Sequence, residues 1–419
     1  MYRRRDGIAV CDHAPGGINR SSAAHDDDES QKEPEMKRLL LAVIAVIAVV
    51  IHTTTSFERV IGGLDRDRGV FVSPTSDGGY VAVGLTRSFG EGDDDIYLVR
   101  IDATGSVLWT QTYGGPETDN GWSVHESAGG LVIAGFTESF GMGGFDCYLI
   151  RTDLEGEMQW SKTFGGEHND RCWALLPASD GGYVLVGETT SFGSGAEDCY
   201  LIKTDASGNE VWSKTFGGEK GDRCFSIAQA DDGGFLLAGQ TYSEGAGDRD
   251  VYLVKTDASG NEVWSKTFGG PASDVGHSVT RTAEGDFVVT GYTTSFAIAE
   301  DDPYLIKIDA RGQTQWTRVI AMEGVNHTLT GEQAADGGFF LGGFSNFGPN
   351  GANAALLVKT DGDGNLEWSR DLFVTTTGQS LGYTVRATSD GGSILTGHTT
   401  VGSTGDLDLF MVKVDREGQ

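Results

Sequence analysis

Aspartate recurs at two fixed phases of this 419-residue chain, and carboxylates are the groups that hold hard cations or carry protons. One series is Asp95, Asp146, Asp198, Asp250, Asp302 and Asp408, with Ala354 at the equivalent place in one unit. The other is Asp67, Asp119, Asp170, Asp222 and Asp274, with Asn326 in the sixth unit. The runs Asp93-Asp94-Asp95 and Glu300-Asp301-Asp302 gather enough oxygen ligands to be weak candidates for Ca²⁺ or another hard cation. Recurrence in every unit favours a building role instead. An Asp at a loop-to-strand junction bonds nearby backbone amides, whereas a catalytic site breaks the symmetry of a repeat. Asp361-Gly362-Asp363-Gly364-Asn365 imitates the start of a calcium loop, but no Gly follows at the sixth position and no Glu at the twelfth. It reads as a plain hairpin turn, and no metal ligand set is assigned.

Other reactive residue types give no catalytic constellation. The eight histidines never share a repeat position. His168, His277 and His327 fall in or near one class of loop with no metal spacing between them, so isolated surface histidines are expected. The Gly-x-Ser-x-Gly match Gly378-Gln379-Ser380-Leu381-Gly382 has no helical pattern after it, so the α/β-hydrolase nucleophile elbow has no candidate. The Phe-Gly-Ser-Gly stretches precede strands rather than helices, which removes a phosphate cradle. Cys147 and Cys199 occupy one repeat position, and Cys172 and Cys224 another, 25 residues further on in each case. In an exported protein these could be Cys147–Cys172 and Cys199–Cys224 disulfides between neighbouring units; the alternative is free cysteines copied by duplication. Cys11 stands in the N-terminal tail.

The elements that carry these residues repeat. Trp109, Trp160, Trp212, Trp264, Trp316 and Trp368 are spaced by 51, 52, 52, 52 and 52 residues, and Phe57 holds the same place 52 residues before the first. An apolar run ending in Asp (Asp102, Asp153, Asp205, Asp257, Asp309, Asp361, Asp415) and a Gly-rich turn (Gly181-Gly182 and its equivalents) also occur seven times. One unit shows four strand patterns. Strand A is near Cys172 to Pro177, strand B is Tyr183 to Gly187, strand C is Tyr200 to Thr204 and strand D is Glu210 to Phe216. The Ser-Asp-Gly-Gly turn between A and B supplies the positive φ angles of a tight hairpin. Strand B is apolar on both faces, as a strand buried in a stack of sheets must be.

Four antiparallel strands per unit, seven times over, predict an all-β, seven-bladed β-propeller. The chain stops after the seventh strand C, while Phe57 to Ile61 is a strand D with no partners before it. The N-terminal strand therefore completes the C-terminal blade and closes the ring, removing two exposed edges. Each recurrent Trp, with Phe57, is a structural anchor expected to pack between neighbouring blades. Trp122 and Trp173 lie outside that series; they suit core packing, or a sugar platform if exposed.

The formal charge of −30 comes almost wholly from the repeats, where 53 acidic residues after position 52 face 24 basic ones. Such a surface repels phosphates, so nucleic acid is not an expected partner. Residues 1–35 read as a disordered tail or a mis-assigned start, with Met36 as the alternative start. Met36-Lys37-Arg38 and the apolar run Leu39 to Ile51 read as a signal peptide within 36–52, or an uncleaved N-terminal signal anchor. The run is short for a membrane span. The propeller then occupies 53–419.

Asp-x-x-Gly-x-x-x-Trp on the C–D hairpin, at Asp153, Gly156, Trp160 and Asp205, Gly208, Trp212, resembles the tryptophan-docking repeat of quinoprotein dehydrogenase propellers, one residue shorter between Asp and Gly. The fuller unit, with Gly-Gly-Tyr-Val-Leu-Val-Gly, Ser-Phe-Gly-Ser-Gly and Tyr-Leu-Ile-Lys-Thr-Asp, looks like secreted propeller repeats of bacteria and archaea. The resemblance implies export and an interaction role; no quinone-binding residue of that family has a counterpart here. The expectation is a secreted, cell-surface or periplasmic monomer acting as a non-enzymatic binding or adhesion scaffold. Its protein or glycan ligand would meet the face carrying the B–C and D–A loops, with membrane contact only through an uncleaved leader. The alternatives are a quinoprotein-like oxidoreductase or hydrolase with its site in the central tunnel, and a carbohydrate- or Ca-binding module. The former requires asymmetric polar residues converging on the axis. No catalytic or cofactor-binding residue is nominated.

Overall fold

The computed structural model describes residues 9–10, 56–298, 300–346, 351–374, 378–403 and 406–419. Apart from Ala9 and Val10, the tail and leader of residues 1–52 lie outside the described residues. Every regular element described is a strand. Among the described residues no helix is long and apolar enough to cross a membrane.

Seven antiparallel sheets form the ring. The third blade contains Asp170–Pro177, Tyr183–Thr189, Asp198–Thr204 and Glu210–Phe216 as strands A to D. Strands A and C begin two residues earlier than the apolar pattern suggests, because the recurrent aspartates themselves enter the ladder, and strand B continues to Thr189. In the last blade Phe57–Gly62 pairs with Asp408–Val414, with Phe57 opposite Lys413 and Ile61 opposite Leu409. The N-terminal strand thus supplies the missing outer strand, and the two residues Ala9–Val10 add to its free edge. Strands B and C are buried along their whole length in nearly every blade, so the core sits between sheets as a closed series of apolar layers.

Nearly every strand C also buries a cation. Lys203, Lys255 and Lys359 are 8%, 2% and 1% exposed. Their Nζ atoms reach Asp180, Asp232 and Asp336 of the A–B turns at 2.8, 2.9 and 3.0 Å. The stem crosses the apolar layer while the charged tip finds a carboxylate and a backbone carbonyl. Part of the acidic excess is therefore built into hairpin turns.

The docking residues connect one blade to the next. Trp160 lies over Gly208 of the following C–D turn, Trp212 over Gly260, and Phe57 over Gly105. Gly208 has φ +76° and no room for a Cβ, so both backbone and neighbour require glycine. These tryptophans are half-buried, not sealed in the core.

Candidate functional site

Strand A lines the axis, and in every blade its pairing with strand B slips at the fourth residue. The residues skipped by the ladder are Val70, Trp122, Trp173, Phe225, His277, Leu329 and Tyr383. A β-bulge leaves one residue unpaired and re-aims its side chain. Repeated seven times, it sends one side chain per blade into a central cavity of about 420 Å³. The scaffold is symmetric here and the chemistry is not.

Aromatic rings cover much of this wall. Trp122 and Trp173 meet edge to face at 4.6 Å, with Phe136 5.5 Å from Trp173. Phe225 stacks on His277 at 5.1 Å. Tyr292 lies 5.8 Å from His277 and stacks on His327 at 3.9 Å, with Phe344 beyond. Trp122 and Trp173 are therefore neither sealed core residues nor an outer platform, but half-buried cavity walls. The expectation of isolated surface histidines holds for exposed His168 and fails for the other two. His277 is the bulged residue of its strand, and His327 is held between Tyr292 and Phe344. Desolvation, with the nearby charges of His327 and Arg249, pushes His277 down to about 3; desolvation and Arg386 do the same to His125 on the cavity wall. Both rings are neutral near pH 7.

Polar side chains gather at the loop-face mouth. His327 Nε2 and Asp301 Oδ2 are 2.9 Å apart. Arg249 donates to the Tyr292 hydroxyl at 2.6 Å. Arg171 and Arg223 share Glu188, each at 3.0 Å, and Arg223 also reaches Glu197 at 2.9 Å. At the other end Arg386 pairs with Glu332 at 3.2 Å and lies 4.5 Å over the Phe71 ring. Of these groups, Arg223 and Arg386 line the cavity itself. The structure places no serine, threonine or cysteine on the ring nitrogens of His277 or His327 among the described residues.

The two aspartate series meet at the crossings between blades. A Cβ on Gly165 would lie 2.0 Å from Asp146 Oδ1 and 2.7 Å from Asp170 Oδ2, so two buried carboxylates flank one glycine. The pairs Asp408/Asp67, Asp95/Asp119, Asp198/Asp222 and Asp250/Asp274 repeat this arrangement around Gly62, Gly114, Gly217 and Gly269. Each carboxylate is engaged locally. Asp170 accepts from the Gly166 amide and the Ser191 hydroxyl, at 2.7 and 2.6 Å, and from Thr189; Asp146 accepts from the Met142 amide at 2.7 Å. Desolvation, opposed by that amide and reinforced by Asp170, pushes Asp146 up to about 6.

The runs weighed as cation ligands diverge. Asp93 is exposed, Asp94 is clamped by Arg66 and Arg87 at 2.7 and 2.6 Å, and Asp95 turns inward to the amides of Glu91 and Gly92. Glu300 is exposed, Asp301 is committed to His327, and Asp302 accepts from the Ile298 and Met322 amides. Among the described residues no group of three His, Cys, Asp or Glu could hold a metal ion. In Asp361-Gly362-Asp363-Gly364-Asn365 the first carboxylate accepts from the amides of Asp363 and Asn365, which is hairpin-turn geometry.

Cys147 is bonded to Cys172 and Cys199 to Cys224, each with Cα atoms 5.0 Å apart. Cys172 and Cys224 directly precede the bulged Trp173 and Phe225. The cross-links therefore fasten the strands that present two aromatic walls of the cavity.

Comparison with known proteins accords with this architecture. The structure of puromycin hydrolase has a TM-score of 0.50 at 14% identity, covering 80% of this chain and 50% of that one. The β-propeller domain of the Trilobed protease from Pyrococcus furiosus gives 0.44 at 11% identity, covering 83% and 95%. At 14% identity the likeness to puromycin hydrolase concerns the fold alone. The regulatory protein FlaEY of Caulobacter vibrioides is 26% identical over 163 residues, 33% of this chain, and the chain spans 17% of that relative's length. Residues 97–336 and 197–398 match the quinoprotein-type family PQQ_2, described as outer membrane protein assembly factor BamB. Those stretches cover well over half of the sequence, and the docking of each recurrent aromatic residue on the next blade's turn is the structural counterpart of the repeat; the chain belongs to this PQQ_2 family of β-propellers.

Proposed function

We propose that this propeller is an exported, non-enzymatic binding protein whose ligand site is the central cavity. The observation that carries the reading is the bulge ring: one backbone device, repeated in every blade, presents six different residue types to one enclosed space. Positions that build blades are nearly invariant along the chain, while the positions facing the axis differ, which is where a ligand would be read. A cavity of about 420 Å³ with mainly apolar walls and a few polar groups has the dimensions of a small-molecule site. The family's description as an assembly factor of the outer membrane is a binding role in an exported compartment, and the two cystine pairs suit an oxidising one.

The test is a thermal-shift and calorimetric screen against Ca²⁺, oligosaccharides, pyrroloquinoline quinone and small aromatic molecules, repeated on Trp173→Ala and Phe225→Ala. A ligand that stabilises the parent protein and is lost by both variants supports the reading. Stabilisation by a ligand that both variants retain would move the site away from the axis.

A further inference from the structure

The rings that the bulges aim at the axis have no cation over them. Trp122, Trp173, Phe225 and Tyr383 line the central cavity and are half-buried, so each keeps surface open to it. Trp122 and Trp173 meet at 85°, which makes a corner rather than a stack. Phe225 continues the arc on the next blade, and Tyr383 enters from the last. Elsewhere this protein covers its aromatic rings with basic side chains. Lys266 lies 5.3 Å over Trp264, Arg318 5.4 Å over Trp316 and Arg370 5.9 Å over Trp368. The cavity wall itself holds one such contact, Arg386 at 4.5 Å over Phe71. Among the described residues no lysine or arginine lies over the four bulged rings. An aromatic face carries the negative side of the ring quadrupole, so an uncovered face in a desolvated cavity attracts a cation.

A second, independent observation is the charge around these rings. Arg223 and Arg386 are the charged residues of the lining, and carboxylates answer both: Glu188 and Glu197 at 3.0 and 2.9 Å, and Glu332 at 3.2 Å. Counted with these partners and with Arg171, which shares Glu188, the wall adds no net charge. His125 and His277 in the same wall are neutral near pH 7. Outside the cavity the repeats carry 53 acidic residues against 24 basic ones. That field concentrates cations at the protein and depletes anions.

We propose that the cavity takes a methylated organic ammonium ion, its head against Trp122, Trp173 and Phe225 and its apolar body along the rest of the wall. This rests on the reading of the cavity as the ligand site and adds the charge class of the ligand. A methylated head suits a wall whose carboxylates are already paired, because it gives up few hydrogen bonds on leaving water and spreads its charge over the surface that meets the rings.

Isothermal titration of the full chain with 3-hydroxyphenyltrimethylammonium, 3-tert-butylphenol and 3-hydroxybenzoate tests the assignment. The three share one ring and differ in charge, and the first two also share one shape. The cation should bind at least about 10-fold more tightly than the neutral isostere, as desolvated contacts with several rings imply. That ratio should hold in 1 M salt, where attraction to the acidic surface is screened beyond about 3 Å. It should fall about threefold in Trp122→Leu and in Trp173→Leu, while Trp173→Phe keeps part of it. Should a leucine variant melt lower, the ratio on the unaltered protein still decides. Equal binding of cation and isostere, tighter binding of 3-hydroxybenzoate, a ratio that salt abolishes, or one that both leucine variants keep in full overturns the charge assignment and leaves the cavity reading standing. If no probe binds, the charge assignment falls, and the cavity reading falls with it when the wider ligand screen is also empty.

Discussion

The ring of Trp160 occupies the space that a side chain on Gly208 would need: a Cβ there would stand 2.5 Å from its nearest ring carbon. The two residues belong to successive blades, so a single contact of this kind sets the spacing between sheets. Gly208→Val should lower stability by about 3 kcal/mol or more, combining a positive φ with overpacking. Trp160→Ala should cost about 2 to 3 kcal/mol, below the range for fully buried Trp, because the indole is half-exposed. Urea unfolding of both variants checks the pair; Gly208→Val with unchanged stability would remove the docking explanation.

Cross-linking should show in chemistry and in stability. Non-reducing peptide mapping is expected to recover Cys147 with Cys172 and Cys199 with Cys224. Each bond closes a 25-residue separation, for which loop entropy gives about 3 kcal/mol. Reduction should therefore lower the melting temperature and also weaken any cavity ligand, since Trp173 and Phe225 follow the cross-linked residues. Four free thiols in protein purified without reductant would dismiss the bonds.

Acid sensitivity should reflect opposing groups. His125, His277 and His398, held near 3, gain protons on unfolding below about 6.5, so stability falls as pH drops from 6.5 toward 3. Asp180, lowered by its bonds to Lys203 and the Gly182 amide, adds to the loss in acid. Asp146 works the other way: raised to about 6, it contributes stability below about 4 that disappears as pH rises through 6. Melting temperature should therefore climb from pH 3 to 6.5 and then level. In Asp146→Asn the climb between pH 4 and 6 should be steeper, and an unchanged profile would show that this carboxyl is not perturbed.

Closure of the ring can be tested by removal. A chain lacking residues 1–62 exposes the edge of Asp408–Val414 and leaves Gly105 without Phe57. It should melt well below the parent protein and associate through the open edge. Supplying a peptide of residues 56–62 should partly restore the melting temperature; an equally stable, monomeric truncation would show that this strand is dispensable.

Much of this fold is legible in the sequence because the features that build it recur. The 52-residue spacing of Trp160, Trp212 and Trp264 counts the blades, and the orphan strand at Phe57 announces how the ring closes. The site is another matter. Period-two alternation says nothing of a bulge, and one unpaired residue reverses what lies downstream, so Trp122, His277 and Tyr383 could not be aimed at the axis from spacing alone. Contacts such as His327 on Tyr292 join residues 35 positions apart across a blade boundary. The runs Asp93-Asp94-Asp95 and Glu300-Asp301-Asp302 show that adjacency in sequence is not convergence: Asp95 and Asp302 open strands and turn to backbone amides, while Asp94 and Asp301 turn to Arg66, Arg87 and His327.

The bulge that presents each axial side chain also frees it from the ladder. Val70, Trp122, Trp173, Phe225, His277, Leu329 and Tyr383 face no strand B residue directly. Replacing any of them alters the shape and polarity of the cavity while leaving sheet register intact. A lineage carrying this scaffold can thus exchange its lining one blade at a time, and gene duplication of a whole unit delivers a new wall already mounted in a working frame. Selectivity in such a molecule can drift quickly while the ring that bears it stays still.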